Sequence, residues 1–235
     1  MLEKVSDIEL CNIVYNGNLT TDLLKTHMSD ISKQDSSGRT AYHWAIVAKK
    51  EKMISLLKCL KNSTDPTTTD SSGWSPFHSA VSVGFEMEVV TILKSHPEMI
   101  NKTTNNGQTA LFFAISKERE EMIKILMKSG ASLMVQDKYG FNPLHRLSSI
   151  GNQKIYDFMF ESYGQEVILK ALMATDSEGN TCLITAAADR NEALLKRYLK
   201  ITEKEDQDVV NKEGKGVVHY LNDKPVINKL LESMS

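Results

Sequence analysis

The run Asp70-Ser71-Ser72-Gly73-Trp74-Ser75-Pro76-Phe77-His78-Ser79-Ala80 decides the fold. An acid, small polar residues and a glycine form a tight turn ending at a positive-φ position. Serine followed by proline supplies a helix N-cap with Pro at the first helical residue. The run therefore reads as a turn that launches a helix. Working outward, the turn recurs as Asp35-Ser36-Ser37-Gly38, Asn105-Asn106-Gly107, Asp137-Lys138-Tyr139-Gly140, Asp176-Ser177-Glu178-Gly179 and Asn211-Lys212-Glu213-Gly214. The glycines are 35, 34, 33, 39 and 35 residues apart, a period that marks a solenoid of repeated helical units.

After each turn comes a related block: Thr40-Ala41-Tyr42-His43-Trp44-Ala45, Thr109-Ala110-Leu111-Phe112-Phe113-Ala114, Asn142-Pro143-Leu144-His145-Arg146-Leu147 and Thr181-Cys182-Leu183-Ile184-Thr185-Ala186. The blocks resemble the T-P-L-H-x-A signature of ankyrin repeats. Helically spaced apolar residues follow, such as Met53, Ile54, Leu56, Leu57 and Met122, Ile123, Ile125, Leu126, giving the second helix of each pair. Lys49, Glu118 and Arg190 stand where the repeat consensus carries glycine. The expectation is an all-α ankyrin-repeat solenoid with short β-hairpin turns, a single domain over 1–235 in about seven repeats: 1–34, 35–69, 70–103, 104–136, 137–175, 176–210 and 211–235. The first and last are degenerate, as capping units need to be. The 39-residue spacing places an insertion around Ser162 to Ala171, and 61–70 reads as a polar loop.

Composition limits what such a stack does. With 28 Lys+Arg against 30 Asp+Glu and a net charge of −2, nothing draws the chain to nucleic acid or to a membrane surface. The apolar runs are far short of a bilayer span, and the acids at Glu3 and Asp7 do not suit a signal peptide. The chain is expected inside the cell, in cytoplasm and nucleus. Cys11, Cys59 and Cys182 are widely separated and read as buried thiols.

A search for chemistry finds none that the repeat does not already explain. His43, His78 and His145 share one register, where the imidazole links turn and helix within a repeat. Neighbouring copies would lie about a helix-packing distance of 8–10 Å apart, too far for one metal. No phosphate-binding glycine loop or nucleophile elbow occurs. Most methionines, among them Met53, Met87, Met122, Met127 and Met159, fall on second-helix positions and read as core. The expectation is no catalytic residue, no cofactor and no metal.

Repeat stacks bind other proteins on the concave face made by turn tips and first helices. The positions free of structural duty there include Arg39, Trp44, Trp74, Phe113, Lys117, Lys138, Tyr139, Arg146, Glu178 and Asp189. Trp, Tyr and Arg are enriched at binding hot spots, although either tryptophan ring would also serve as packing between repeats. Polar residues at the ends, Glu3, Lys4, Asp7, Asn222, Asp223 and Lys224, favour a monomer that binds one partner.

The strings Cys11-Asn12-Ile13, Tyr15-Asn16-Gly17, Arg39-Thr40-Ala41-Tyr42-His43-Trp44-Ala45, Gly73-Trp74-Ser75-Pro76-Phe77-His78, Ser116-Lys117 and Leu144-His145-Arg146 resemble the gankyrin family across the whole chain. That resemblance implies an assembly chaperone of the proteasome regulatory particle, holding the C-terminal domain of a proteasomal AAA ATPase subunit. It also implies that Arg39 and Lys117 pair with acids of that domain. The family's L-x-C-x-E string is replaced here by Leu183-Ile184-Thr185-Ala186-Ala187, so a retinoblastoma-protein contact is not implied. Another ankyrin regulator, such as an inhibitor of a cyclin-dependent kinase, is the alternative.

Overall fold

A computed structural model describes residues 3–60 and 63–221. Backbone contacts divide the chain into two compact units, 1–113 and 114–235. In the first, helix pairs follow one another: α1 (Glu9–Asn16) and α2 (Thr21–Thr26), α3 (Ala41–Val47) and α4 (Glu51–Lys58), then α5 (Pro76–Val83) and α6 (Glu86–Ser95). Helix α3 packs between α1 and α5, so the first helices form one row. Helix α7 (Ala110–Ser116) contains the boundary between units.

The second unit holds α8 (Glu120–Lys128), α9 (Pro143–Ile150), α10 (Gln153–Met173), α11 (Cys182–Ala188), α12 (Glu192–Leu199), the short α13 (Lys204–Gln207) and α14 (Val217–Leu221). Here α11 packs between α9 and α14. The reading of a further helical segment up to Leu231, and of polar residues 222–224, lies outside the described residues.

Burial follows the helical period. Met53, Ile54 and Leu57 of α4, and Met122, Ile123 and Leu126 of α8, are all buried. Met87 departs from the expectation: it is 75% exposed, while its neighbour Glu88 is 5% exposed. The phase of α6, fixed by Val89 and Ile92, turns residue 88 inward, and the buried carboxylate accepts the Tyr42 hydroxyl at 2.5 Å and the Lys58 ammonium at 2.9 Å. Two bonds, one of them from a cation, offset the desolvation of this carboxylate. Cys59 also departs from expectation, being exposed at the end of α4, whereas Cys11 and Cys182 are buried.

Among the described residues the expected β-hairpins reduce to isolated bridges, Thr103 with Thr109 and Val210 with Gly216. Elsewhere a backbone bond closes the turn without strand pairing, as from Asp70 N to Trp74 O at 2.8 Å. Successive turns touch through their backbones, with Ser71 N donating to Ser37 O and Asn105 N to Ser72 O. A Cβ at Gly73 would come within 2.5 Å of Asn105 N, so close approach as well as positive φ requires glycine there.

Lys49, Glu118 and Arg190 occupy the register the sequence assigns to lost glycines, and they are the non-glycine residues with positive φ among the described residues, at 51°, 49° and 57°. In the same register Gly84 and Gly151 have φ of 70° and 82°. The turn between paired helices thus keeps its shape without the residue that adopts it most readily.

The insertion around 162–171 appears as an extension of α10 beyond a kink at Gly164, whose φ of 75° and ψ of 169° lie in a region open essentially to glycine alone. Beyond the kink, Ile168, Ala171 and Leu172 are buried, and Asn142 Nδ2 donates to Ala171 O at 2.7 Å. The added residues therefore contribute core.

Candidate interaction surface

The turn carboxylates organise the tips. Asp35 Oδ1 accepts the backbone N–H of Ser37 and Arg39 at 3.0 and 2.9 Å, and Asp70 Oδ1 those of Ser72 and Trp74, both at 2.9 Å. Asp137 does the same for Tyr139 and Phe141, Asp176 for Glu178 and Asn180, and the Asn211 amide oxygen for Glu213 and Lys215. Each tip residue after the glycine is thereby fixed by its own amide. Burial alone would raise Asp35, but bonds from Ser37, Trp44, Arg39 and Ser6 outweigh it and hold its carboxyl at about 2.

The histidines carry the turns into the helices. Thr40 N donates to His43 Nδ1 at 3.1 Å, Ser75 N to His78 Nδ1 at 3.3 Å and Asn142 N to His145 Nδ1 at 3.3 Å. The imidazole here takes the part that Glu or Gln takes in a capping box. With Nδ1 accepting, Nε2 carries the proton and donates to a carbonyl further along the chain: Trp74 O at 3.3 Å, Lys102 O at 2.9 Å and Asn180 O at 3.1 Å. For His43 and His145 the link thus reaches into the following repeat, while Lys102 lies in the same repeat as His78. Burial lowers all three, His43 to about 4. Among the described residues no group of three or more His, Cys, Asp or Glu converges on a metal position.

In the first unit Arg39 lies half-buried, its Nε donating to Asp70 Oδ2 at 3.2 Å and its guanidinium 5.0 Å from the centre of the Trp44 ring. Trp44 itself is 9% exposed: its indole N–H donates to Asp35 Oδ2 at 2.8 Å and Tyr15 meets it edge-on at 5.7 Å. Packing is its principal role. Trp74 is half-buried and stacks on Phe113 with ring centres 4.2 Å apart; Phe113, at 9% exposure, forms the floor of that pair and does not project. The sequence reading of Trp44 and Phe113 as presented side chains is corrected to that of supports, for Arg39 and Trp74 respectively. Nothing in a single sequence pairs Asp35 with Trp44, nine residues on; the turn-to-helix register is the one clue.

In the second unit Lys117, Lys138, Glu178 and Asp189 are exposed. Tyr139 is 52% exposed, with Lys138 Nζ 5.0 Å from its ring centre and Phe141 at 6.4 Å. Arg146 is half-buried, its Nε donating to Ser116 Oγ at 2.9 Å. The arrangement offers cations, aromatic faces and acids on turn tips and first helices; the hydroxyls that meet an imidazole there, Thr40 on His43 and Ser75 on His78, each at 2.9 Å, are buried within the capping of their helices. It is suited to recognising a surface.

A model of ankyrin repeats in three copies matches residues 10–98, 46–137 and 84–171, and the chain belongs to the ankyrin-repeat family. Among individual proteins it is similar to the probable 26S proteasome regulatory subunit p28 of Saccharomyces cerevisiae, 36% identical over 141 residues, covering 59% of this chain and 61% of that protein. It is also 27% identical over 137 residues to the human transient receptor potential cation channel subfamily A member 1, covering 58% of this chain and 12% of the channel. The chain thus spans less than two thirds of the length of these relatives. In structure it resembles the ankyrin repeat domain of Bcl-3, with a TM-score of 0.74, 18% identity, and coverage of 96% of this chain and 98% of that one, a likeness of fold alone.

Proposed function

We propose that this chain is a non-enzymatic assembly chaperone of the proteasome regulatory particle, which holds the C-terminal domain of an AAA ATPase subunit on its turn tips and first helices, as a monomer binding one partner, in cytoplasm and nucleus. The observation that carries the reading is the 36% identity to the yeast proteasome regulatory subunit p28. Exposed Lys117 and Lys138, and the outer edge of the half-buried Arg39, supply the charge that acidic side chains of the partner would meet. Cations of this kind act mainly through encounter rate and specificity, and lose effect in salt.

The test is a titration with the C-terminal domains of the proteasomal ATPases, one at a time. One of them is expected to bind one-to-one. Lys117→Glu, which disturbs no internal bond, is expected to weaken binding about tenfold or more, and rising salt to weaken the unaltered protein. No binding to any ATPase domain would overturn the reading. Arg39→Glu removes the Asp70 contact as well, so a melting curve accompanies it.

A further inference from the structure

We propose that Asn106 is a site of spontaneous deamidation in the folded protein, its chemistry directed by the turn around it. The chain has two Asn-Gly pairs, Asn16-Gly17 and Asn106-Gly107, in which the unhindered glycine nitrogen can reach the asparagine side chain. The structure treats them differently. The Asn16 carboxamide is held on both sides: its oxygen accepts Glu3 N at 3.1 Å and its nitrogen donates to the Glu3 and Asn12 carbonyls, each at 2.8 Å. Asn105, beside the second pair, is held by a bond from its Nδ2 to Ser71 O at 3.1 Å. Asn106 is exposed at the tip, and among the described residues nothing bonds its carboxamide.

The backbone around Asn106 is also less tightly held than in the sister turns. In each of the other turns the first residue, Asp or Asn, accepts the amide of the residue two further on, as Asp70 accepts Ser72 N. The residue in that place here is Thr104, whose buried hydroxyl has no partner, so the Asn106 amide lacks the side-chain acceptor that its counterparts have. One backbone bond, Gly107 N to Thr104 O at 2.8 Å, must open before the nitrogen can turn. Surface turns open locally at small cost.

In the reaction the Gly107 nitrogen attacks Cγ of Asn106. The N–Cγ bond forms, the Cγ–Nδ2 bond breaks, and ammonia leaves carrying the proton from Gly107. Water then adds to either carbonyl of the resulting succinimide, giving aspartate or isoaspartate. Both place a new carboxylate on the tip. Isoaspartate also adds a methylene to the backbone inside a turn closed by the bond from Thr104 N to Gln108 O at 3.0 Å.

The full chain, incubated folded at mildly alkaline pH and then digested with trypsin, gives the test by mass spectrometry. The peptide 103–117 is expected to show conversion of amide to acid and to split into aspartyl and isoaspartyl forms, at least about tenfold faster than peptide 5–25, whose Asn16 is clamped. In urea the two asparagines should convert at similar rates. Thr104→Asp, which restores the missing acceptor, should slow the folded reaction, and Asn106→Gln should remove it. Equal rates at Asn106 and Asn16 in the folded protein, or no folded-state conversion at Asn106 while the urea sample converts, would overturn the proposal. An unchanged rate in Thr104→Asp would overturn the role given to the turn.

Discussion

Residues 35–43 and 104–112 are two copies of one device, built from the same backbone and different side chains. In the first, Asp35 accepts two turn amides, the Ser6 hydroxyl and the Trp44 indole, and His43 returns a bond to Thr40 N. In the second, Thr104 takes the place of the aspartate and Phe112 that of the histidine, and the hydroxyls of Thr104 and Thr109 are both buried without partners. Yet the second turn is closed by the same bonds, Gly107 N to Thr104 O and Thr104 N to Gln108 O, and carries the Thr103–Thr109 bridge. The backbone shape therefore does not depend on the carboxylate and the imidazole. What they add is satisfaction of polar groups that folding removes from water.

The largest effect should come from making the first turn resemble the second. Asp35→Ala strands two turn amides and the buried indole N–H, and unsatisfied buried donors cost roughly 1–3 kcal/mol each, so a loss of about 3 kcal/mol is expected once solvation of the exposed tip is allowed for. Urea unfolding followed by circular dichroism checks this. A loss below that of an ordinary surface substitution would mean that the carboxylate is ornamental.

Acid separates the two elements of the device next. The folded-state value of His43 lies near 4, below the ordinary 6.5, so the unfolded chain binds a proton more readily across that interval. Stability from this group is complete above about pH 6.5 and is lost as pH falls toward 4; at pH 5 the loss from His43 alone is about 2 kcal/mol, with His78 and His145 acting in the same direction. Asp35, held at about 2, stays ionised through this window, and its contribution fades only below the ordinary carboxylate value. Melting temperatures should fall between pH 7 and pH 5, and His43→Phe, which copies residue 112, should flatten part of that slope while lowering stability at neutral pH.

The sequence makes much of this legible and leaves a definite remainder. Period, turn and N-cap are local, so the helices, the register of the histidines and the positive-φ sites at Lys49, Glu118 and Arg190 can all be read from residue order. What cannot be read depends on a partner distant in sequence or on helix phase. Trp44 looks available for contact until Asp35 and Tyr15 are seen to claim it. Met87 looks like core until the phase of α6 gives that place to Glu88, whose partners Tyr42 and Lys58 lie on two other helices. The turn at 104 is misread by one residue, since Asn105 resembles a turn asparagine while the closing bonds belong to Thr104. Of the proposed contact residues, those at exposed tips, Lys138 and Tyr139, keep the position expected of them, and those on first helices, Trp44 and Phe113, are drawn into packing.

The smallest effect, and the sharpest, runs in the opposite direction. Thr104→Asp would give the second turn the acceptor that its five counterparts have. The backbone there already has the right closure, so the new carboxylate needs no rearrangement to meet the amides of residues 106 and 108. Against the gain of charge-assisted bonds stands the desolvation of a carboxylate at a position where threonine is 6% exposed, a cost that Asp35 and Asp70 bear at 7%. The balance should be a stabilisation of about 1 kcal/mol, seen as a rise in melting temperature of a few degrees at pH 7 that disappears as the new group is protonated near pH 3. A destabilised variant would mean that the carboxylates elsewhere depend on their second oxygen, which Ser6, Trp44 and Arg39 occupy at Asp35 and Asp70, and that the turn amides alone do not offset the burial of the charge.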